Sequence, residues 1–264
     1  IFARMWLGVA TMTAYSIGVT SFDAFLLPET HTLGAGLHGV LGVVLGTLLV
    51  FRTNTSYDRW WEGRKLWGQL VNDSRNLAIK VRTIARVTDE RKRELARALV
   101  GFAHALKDHL RGGAELARVP GFEQSTEVAA HVPSYLAQQI YRSLEQWRHN
   151  ESIDGFELLM LDQHASSLMN VCGACERIQK SPISASYRWF IRQMIGIYLL
   201  TLPWGLVETF GWWTIAAVSL LSYFMIGVEM IAEEIEDPFG VTEDDLRLDA
   251  LCQTIEGSVR SQFE

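Results

Sequence analysis

Cysteine is scarce in this chain, with Cys172, Cys175 and Cys252 the three present in 264 residues. Three thiols are too few for a disulfide framework, and they point to a reducing compartment. Alternating strand patterns are missing, as are strand pairs joined by tight turns, so a β-sheet domain is not expected. No phosphate-binding glycine loop and no convincing catalytic triad is found, and neither are internal repeats or low-complexity tracts. Basic charge is not in excess. The net charge is −6, which argues against a general nucleic-acid binder. The sharpest absence is local. No Lys or Arg occurs between Arg4 and Arg52, and none between Arg192 and Arg247.

Each of those windows has room for two bilayer-crossing helices, which need about 20 apolar residues apiece, and a short turn. The first window reads as a helix near Met5–Leu26, a turn at Leu27-Pro28-Glu29-Thr30-His31 and a helix from Leu33. The second reads as a helix near Tyr187–Leu206, a turn around Glu208 and a helix near Trp212–Ile231. Both turns lack basic residues while the other flanks carry them. By the positive-inside rule the turns face outward, and the middle segment and both termini face the cytoplasm. Trp204, Trp212 and Trp213 fall near the outer turn, and Trp6, Trp60, Trp61 and Trp189 at the inner ends, as interfacial belts do. Burial in a soluble core is the alternative for these tryptophans. The first helix is weakly hydrophobic and rich in small residues, which suits packing against protein more than lipid. The chain is 48% hydrophobic, high for a soluble protein and low for a purely membranous one. It begins at Ile1, with no Met and no cleavable signal pattern, and reads as a trimmed piece.

The middle segment is soluble in character. A helix is expected to open at Thr88-Asp-Glu-Arg and run towards Arg111, stopping at Gly112-Gly113. Pro120-Gly121 and Pro133 punctuate a loop. Further helices are expected near Ser134–Arg148 and Ile153–Lys180.

The second helix passes without a break from an apolar run into a charged, tryptophan-rich block. Gly36, Gly39, Gly42 and Gly46 recur every three or four residues and form one stripe without side chains. Such a stripe admits another helix closely, or allows bending. Val43, Thr47 and Phe51 form a second stripe, about 100° round from the first. In several copies packed through the glycine face, this second stripe lines a central axis as stacked rings, and narrow apolar rings gate by dewetting. A lipid-facing or core stripe is the plainer alternative. Below it, Arg52 is expected to pair with nearby acids, and Asp58 with Glu62 lies in the same block. Such helix-surface contacts are worth a few tenths of a kcal/mol each, so this many charges beside aromatics are expected instead to anchor the helix at the interface and in contacts between helices.

The run Phe51-Arg-Thr-Asn-Thr-Ser-Tyr-Asp-Arg-Trp-Trp-Glu-Gly-Arg-Lys-Leu-Trp-Gly, with Arg59, Trp60 and Trp61 at its centre, resembles the signature block of the bestrophin family, especially its prokaryotic branch. Asp237-Pro238-Phe239-Gly240 resembles that family's Asn-Pro-Phe-Gly motif, with Asp in place of Asn. The order of membrane pair, helical segment, membrane pair and acidic tail is similar as well, so the resemblance covers almost the whole chain.

The resemblance implies an all-α, four-span membrane protein that assembles as a homopentameric ring and conducts small monovalent ions passively through one pore, in a bacterial inner membrane. The family's neck residues fall on Val43, Thr47 and Phe51, the stripe already found. Its cytoplasmic aperture falls on Ile183. Residues 1–51 would hold the first two membrane helices, 52–186 a cytoplasmic helical region, 187–235 the other two membrane helices, and 236–264 a cytoplasmic acidic segment. The implied partners are further copies of the chain, the permeating ions and the lipid bilayer, with no nucleic acid.

Two departures matter. Animal bestrophins carry an aromatic residue where this chain has Thr47. A phenyl edge is partly positive and faces anions well. Its loss, with Asp23, Glu29 and Glu208 in the outer segments, predicts weak anion selectivity or cation permeation in place of the family's chloride conduction. The animal proteins also clasp Ca²⁺ with an acidic run after Pro-Phe-Gly. Here Glu243, Asp244 and Asp245 remain as weak candidate ligands, too few for an ion that takes six to eight oxygens. Thr242–Asp245 reads instead as a helix N-cap. No cofactor is expected.

Other signals carry less. Cys172-Gly-Ala-Cys175 lacks a second pair for zinc and reads as packing. His31 and His38 find no membrane partners for a haem. His104 and His109 lack the spacing of a shared metal face. Glu229, in the last membrane helix, is either functional or reaches the interface. The rival readings are a membrane enzyme or haem protein, and a non-conducting membrane scaffold.

Overall fold

The structure, a computed structural model, describes residues 2–26 and 35–263. The turn expected at Leu27-Pro28-Glu29-Thr30-His31 and the start of the second helix at Leu33 lie outside the described residues. Those residues fold into α-helices with no β-strand among them, as the missing alternation predicts. The helices are α1 (Phe2–Leu26), α2 (Ala35–Ile84), α3 (Asp89–Leu110), α4 (Val132–His149), α5 (Gly155–Lys180), α6 (Ala185–Phe210), α7 (Trp213–Glu234) and α8 (Leu248–Arg260).

The chain divides into two compact units, Ile1–Arg59 with Pro182–Asp237, and Trp60–Ser181 with Pro238–Glu264. Helix α2 belongs to both. At 50 residues it is about 75 Å long, more than twice the thickness of a bilayer core. It stays helical through its threonines because their hydroxyls donate to carbonyls one turn back: Thr47 to Val43, Thr53 to Leu49 and Thr55 to Phe51, at 2.8–2.9 Å.

In the first unit α1 packs on α6 and α7, and α6 packs on α7. Leu45 and Leu49 of α2 join Ile191, Leu199, Leu202 and Val218 in its core. Gly36–Ile84, Ala185–Phe210 and Trp213–Glu234 are long and apolar enough to cross a membrane. Helix α1 is long enough but more polar, and its polar groups meet protein. Thr13 Oγ1 lies 2.8 Å from Ser219 Oγ, Tyr15 donates to the Leu200 carbonyl at 3.0 Å, and Trp204 Nε1 donates to Tyr15. Ser16 and Thr20 are buried. Trp6, Trp189, Trp212 and Trp213 lie on the surface of this unit and not in its core. The turn expected around Glu208 is displaced. Helix α6 continues through Glu208 to Phe210, and the chain reverses at Gly211, whose φ of 50° suits glycine.

In the second unit α3 lies against α4, α5 and α8, and α4 packs on α5. Trp67, Leu70 and Leu77 of α2 are fully buried there. Helix α3 begins after Thr88 with Asp89 and Glu90 in its first turn, where the helix dipole favours acids. It ends before Gly112 and Gly113, both at positive φ. Asp154 and Glu157 form a reciprocal capping box at the start of α5. Helix α8 is held to α3 by Asp249, which accepts from Lys107 and Arg111 at 2.8 Å each. These two bonds, Lys107 first, hold the Asp249 carboxyl down at about 2.

Candidate pore-lining site

Val43, Thr47 and Phe51 all lie on one exposed strip of α2. Val43 is 73% and Phe51 60% exposed, and Thr47 is exposed between them. Two large apolar side chains in one helical row therefore have no cover from their own chain. The Thr47 hydroxyl hydrogen is given to the Val43 carbonyl at 2.8 Å. Thr47 thus presents a methyl group and oxygen lone pairs outward, and no free donor.

The glycine stripe is divided in its surroundings. A Cβ on Gly42 would come 2.9 Å from the Tyr198 hydroxyl, so Gly42 admits α6 closely. Gly36, Gly39 and Gly46 have nothing of this chain within 4 Å of that position. Gly205 of α6 makes room in turn for the His38 imidazole, which sits where its Cβ would be. His38 is buried, with Nε2 3.2 Å from Thr201 Oγ1. His31 lies outside the described residues.

Below the strip the charged block makes contacts between helices. Arg52 does not make a surface pair; its side chain is fully buried. Arg52 Nη2 donates to Glu236 Oε2 at 2.7 Å and Nη1 to Ser56 Oγ at 2.8 Å, while Nε lies 3.7 Å from Glu229 Oε2. Glu229 does not reach outward either. It is buried and accepts from Arg192 Nε at 3.2 Å. Arg192 also donates to Glu233 at 2.7 Å. Several bonds per ion are what make such buried charges tolerable. Sequence reasoning missed Glu236, Glu233, Arg188 and Arg192. The signal was present as matched charges at the C-terminal end of one apolar helix and the N-terminal end of another: Glu229 and Glu233 with Glu236 just beyond, and Arg188 with Arg192.

Ile183 lies in the short connection between α5 and α6. Its backbone N–H donates to Glu236 Oε1 at 3.0 Å, and its side chain is half-buried. Arg59 Nε donates to the Glu236 carbonyl at 3.0 Å. Arg52, Arg59 and Ile183 are therefore all fixed on one residue.

The signature block and the Pro-Phe-Gly motif meet in the second unit. A Cβ on Gly63 would lie 3.1 Å from the Phe239 ring, which is 1% exposed. Trp60 Nε1 donates to the Asp244 carbonyl at 3.0 Å, and Arg111 Nε to the Gly240 carbonyl at 3.2 Å. Trp61 is exposed, and Pro238 accepts from the Leu246 N–H through its carbonyl.

Thr242–Asp245 is not the helix cap expected. Helix α8 starts at Leu248, and the acidic run closes a turn ahead of it. Asp245 Oδ2 accepts from Thr242 N–H at 2.6 Å and from Thr242 Oγ1 at 2.9 Å. A Cβ on Gly240 would collide with that same carboxylate. Asp245 is buried and bonded to Thr242, while Glu243 and Asp244 are exposed.

Among the described residues, one group with metal-ligand chemistry is brought together: His109, His131 and Glu176, their ligand atoms all within 4.8 Å. His131 Nδ1 accepts from the Ser134 N–H at 3.0 Å, so its Nε2 carries the hydrogen that meets Glu176 Oε1 at 2.7 Å. His109 Nε2 meets the same oxygen at 2.9 Å, and Lys180 donates to the other at 3.0 Å. The His131 bond, helped by Lys180 and His109, pulls the Glu176 carboxyl from an ordinary 4.5 to about 2. This is a clamp joining α3, α4 and α5. Cys172, Cys175 and Cys252 are free and buried, and burial pushes each thiol up to about 12. His104 faces Glu256, 3.7 Å away.

The family model for the bacterial and fungal bestrophin proteins matches residues 1–261. A voltage-dependent anion channel-forming protein of Nostoc sp. is 38% identical over 226 residues, which are 82% of this chain and 74% of that protein. A protein of the same name from Escherichia coli (strain K12) is 34% identical over 246 residues, 88% of this chain and 79% of that one. Among solved structures, a variant of a bacterial bestrophin homologue from Klebsiella pneumoniae superposes with a TM-score of 0.92 at 25% identity, covering 98% of both chains.

Proposed function

The chain belongs to the bestrophin family, in its bacterial and fungal branch, and from that premise we propose that it is a membrane ion channel whose path is lined by Val43, Thr47 and Phe51. Family membership places it among channel proteins and not among enzymes. The observation that carries the reading is the strip itself, a helical row in which Val43 and Phe51 flank Thr47 and all three are left exposed by their own chain. A ring of copies covers the flanks of that row and leaves its face on the axis. The uncovered glycines at 36, 39 and 46 allow the close approach such a ring requires. The ring is read as a homopentamer of four-span subunits in the inner membrane, with both termini cytoplasmic, and Ile183 forms a second, cytoplasmic constriction. No bound metal or cofactor enters this reading.

The relatives are named for anion channel formation, so passive conduction of small anions is the base expectation. Thr47 modifies it. A chloride ion is stabilised in a narrow ring by donors or by partly positive ring edges. The Thr47 hydroxyl has given its hydrogen to Val43 and offers lone pairs, which suit cations. Glu208 and Asp23 add negative charge from α6 and α1. We therefore expect weak anion selectivity or cation permeation. The purified protein in planar bilayers under a KCl gradient tests this. The reversal potential should lie near zero or towards the potassium equilibrium potential, and Thr47→Phe should move it towards chloride. A wild-type reversal close to the chloride equilibrium potential refutes the selectivity reading, and silent bilayers refute the channel.

A further inference from the structure

Phe51 and Arg52 are neighbours on α2 that face opposite environments. Phe51 is 60% exposed, and Arg52 is fully buried. Whatever fixes the Arg52 guanidinium fixes the rotation of α2 about its axis at this level, and so the direction of Phe51, about 100° away. The guanidinium is fixed by Glu236 Oε2 at 2.7 Å and by Ser56.

The other oxygen of the same carboxylate accepts the Ile183 backbone N–H at 3.0 Å. Ile183 sits outside any helix, and the Ser184 cap of α6 makes no side-chain capping bond. Local helical bonding therefore does little to place Ile183. Arg188 Nη1 lies 3.7 Å from that oxygen, and Glu229, Glu233 and Arg192 complete the charged group around it. Glu236 is 4% exposed. One buried carboxylate thus bridges the helix beside Phe51 and the peptide of Ile183.

We propose that Glu236 is a positioning residue that holds the lower end of the neck, at Phe51, and the aperture, at Ile183, in fixed register. This rests on the pore reading given above. The carboxylate does not touch the permeating ion. It acts through the two constrictions, one oxygen on each.

The bridge can be cut from either side. Ile183→Pro removes the N–H while keeping an apolar side chain, and it leaves the Arg52–Glu236 pair intact. Glu236→Asp keeps the charge but falls one methylene short of spanning both partners. Single-channel conductance is measured on the purified, assembled protein in planar bilayers, with the elution volume in detergent as the assembly check. Both variants should assemble and should change conductance severalfold in the same direction, and the double variant should change it no further than the stronger single one. A purely structural role predicts effects that multiply. Wild-type conductance in Ile183→Pro, or multiplying effects in the double variant, overturns the proposal. Phe51→Ala and Ile183→Ala separate it from its premise. They keep the bridge and remove the side chains, so unchanged conductance in both overturns the pore reading and this inference with it. Changed conductance in them beside a silent Glu236→Asp overturns this inference alone.

Discussion

Two glycines five residues apart on α2 should respond differently to alanine. In a helix interior Gly is roughly 0.5–1 kcal/mol less favourable than Ala, because it loses more chain entropy on folding. That gain is available at Gly63 and at Gly68 alike. The difference is what the new methyl meets. At Gly68 it finds Arg64 Nη1 at 3.4 Å, the far end of a flexible side chain that can swing away. At Gly63 it finds Phe239 Cε1 at 3.1 Å, Phe239 Cζ at 3.3 Å and Leu246 Cδ1 at 3.3 Å. Phe239 is 1% exposed and cannot retreat into solvent. Overpacking of this kind is destabilising by roughly 1–3 kcal/mol. Gly68→Ala should therefore stabilise by about 0.5–1 kcal/mol, while Gly63→Ala should range from neutral to about 2 kcal/mol destabilising. For a chain of this size each kcal/mol is about 2–4 °C in Tm, so the two variants should differ by several degrees. Thermal unfolding followed by tryptophan fluorescence reads this unit directly, since Trp67 and Trp147 are buried in it. Gly63→Leu should be worse again. Equal stabilisation by Gly63→Ala and Gly68→Ala would show that Phe239 is not held against α2.

The Glu176 clamp gives a pH-dependent prediction. Its folded pKa is depressed, so its stabilisation is present above the ordinary 4.5 and is lost as pH falls towards about 2. Glu176→Gln should lower stability by about 1 kcal/mol at neutral pH after solvent screening, and melting curves of the two proteins should converge across that acid window. A gap that stays constant between pH 5 and pH 2 would rule the clamp out. The buried thiols, pushed up to about 12, should resist alkylation in the folded protein at pH 8 and react once it is denatured, as mass spectrometry would show. Gly205→Ala should crowd His38 and destabilise by roughly 1–3 kcal/mol; a neutral melting temperature would mean that α2 and α6 separate there at no cost.

The helices were readable because their signals are local. Two basic-free windows announced the apolar spans, and Gly112-Gly113 announced the end of α3. The Val43, Thr47 and Phe51 strip was readable because helical period alone puts three such residues in line. What stayed hidden depends on partners far along the chain. For Arg52 the block suggests contacts between helices, but a single helix shows only i, i+4 neighbours and so does not name the partners. Its acids are Glu229 and Glu236, brought in by α7 and the turn after it. The clamp escaped for the same reason, since His109 comes from α3, His131 from the cap ahead of α4 and Glu176 from α5. The extent of α6 was misjudged differently. A charged Glu208 looked like a turn, but a single carboxylate near a helix end does not stop the helix; Gly211 does.

The two sequence motifs far apart in the chain are one packing solution. Gly63 leaves a hollow in α2, and Phe239 fills it. Gly240 leaves space that the Asp245 carboxylate fills, which lets Asp245 close the turn on Thr242. Arg111 and Trp60 then bond the backbone on either side of that turn. Pro238, Phe239, Gly240 and Asp245 each have a mechanical task within the second unit. Glu243 and Asp244 are exposed. An acidic run that binds a cation must keep its oxygens uncommitted and convergent. Here the one buried carboxylate has already satisfied itself with a backbone N–H and a hydroxyl three residues back. The segment is therefore a latch that sets the path of the chain into α8, closed by Asp245 on Thr242.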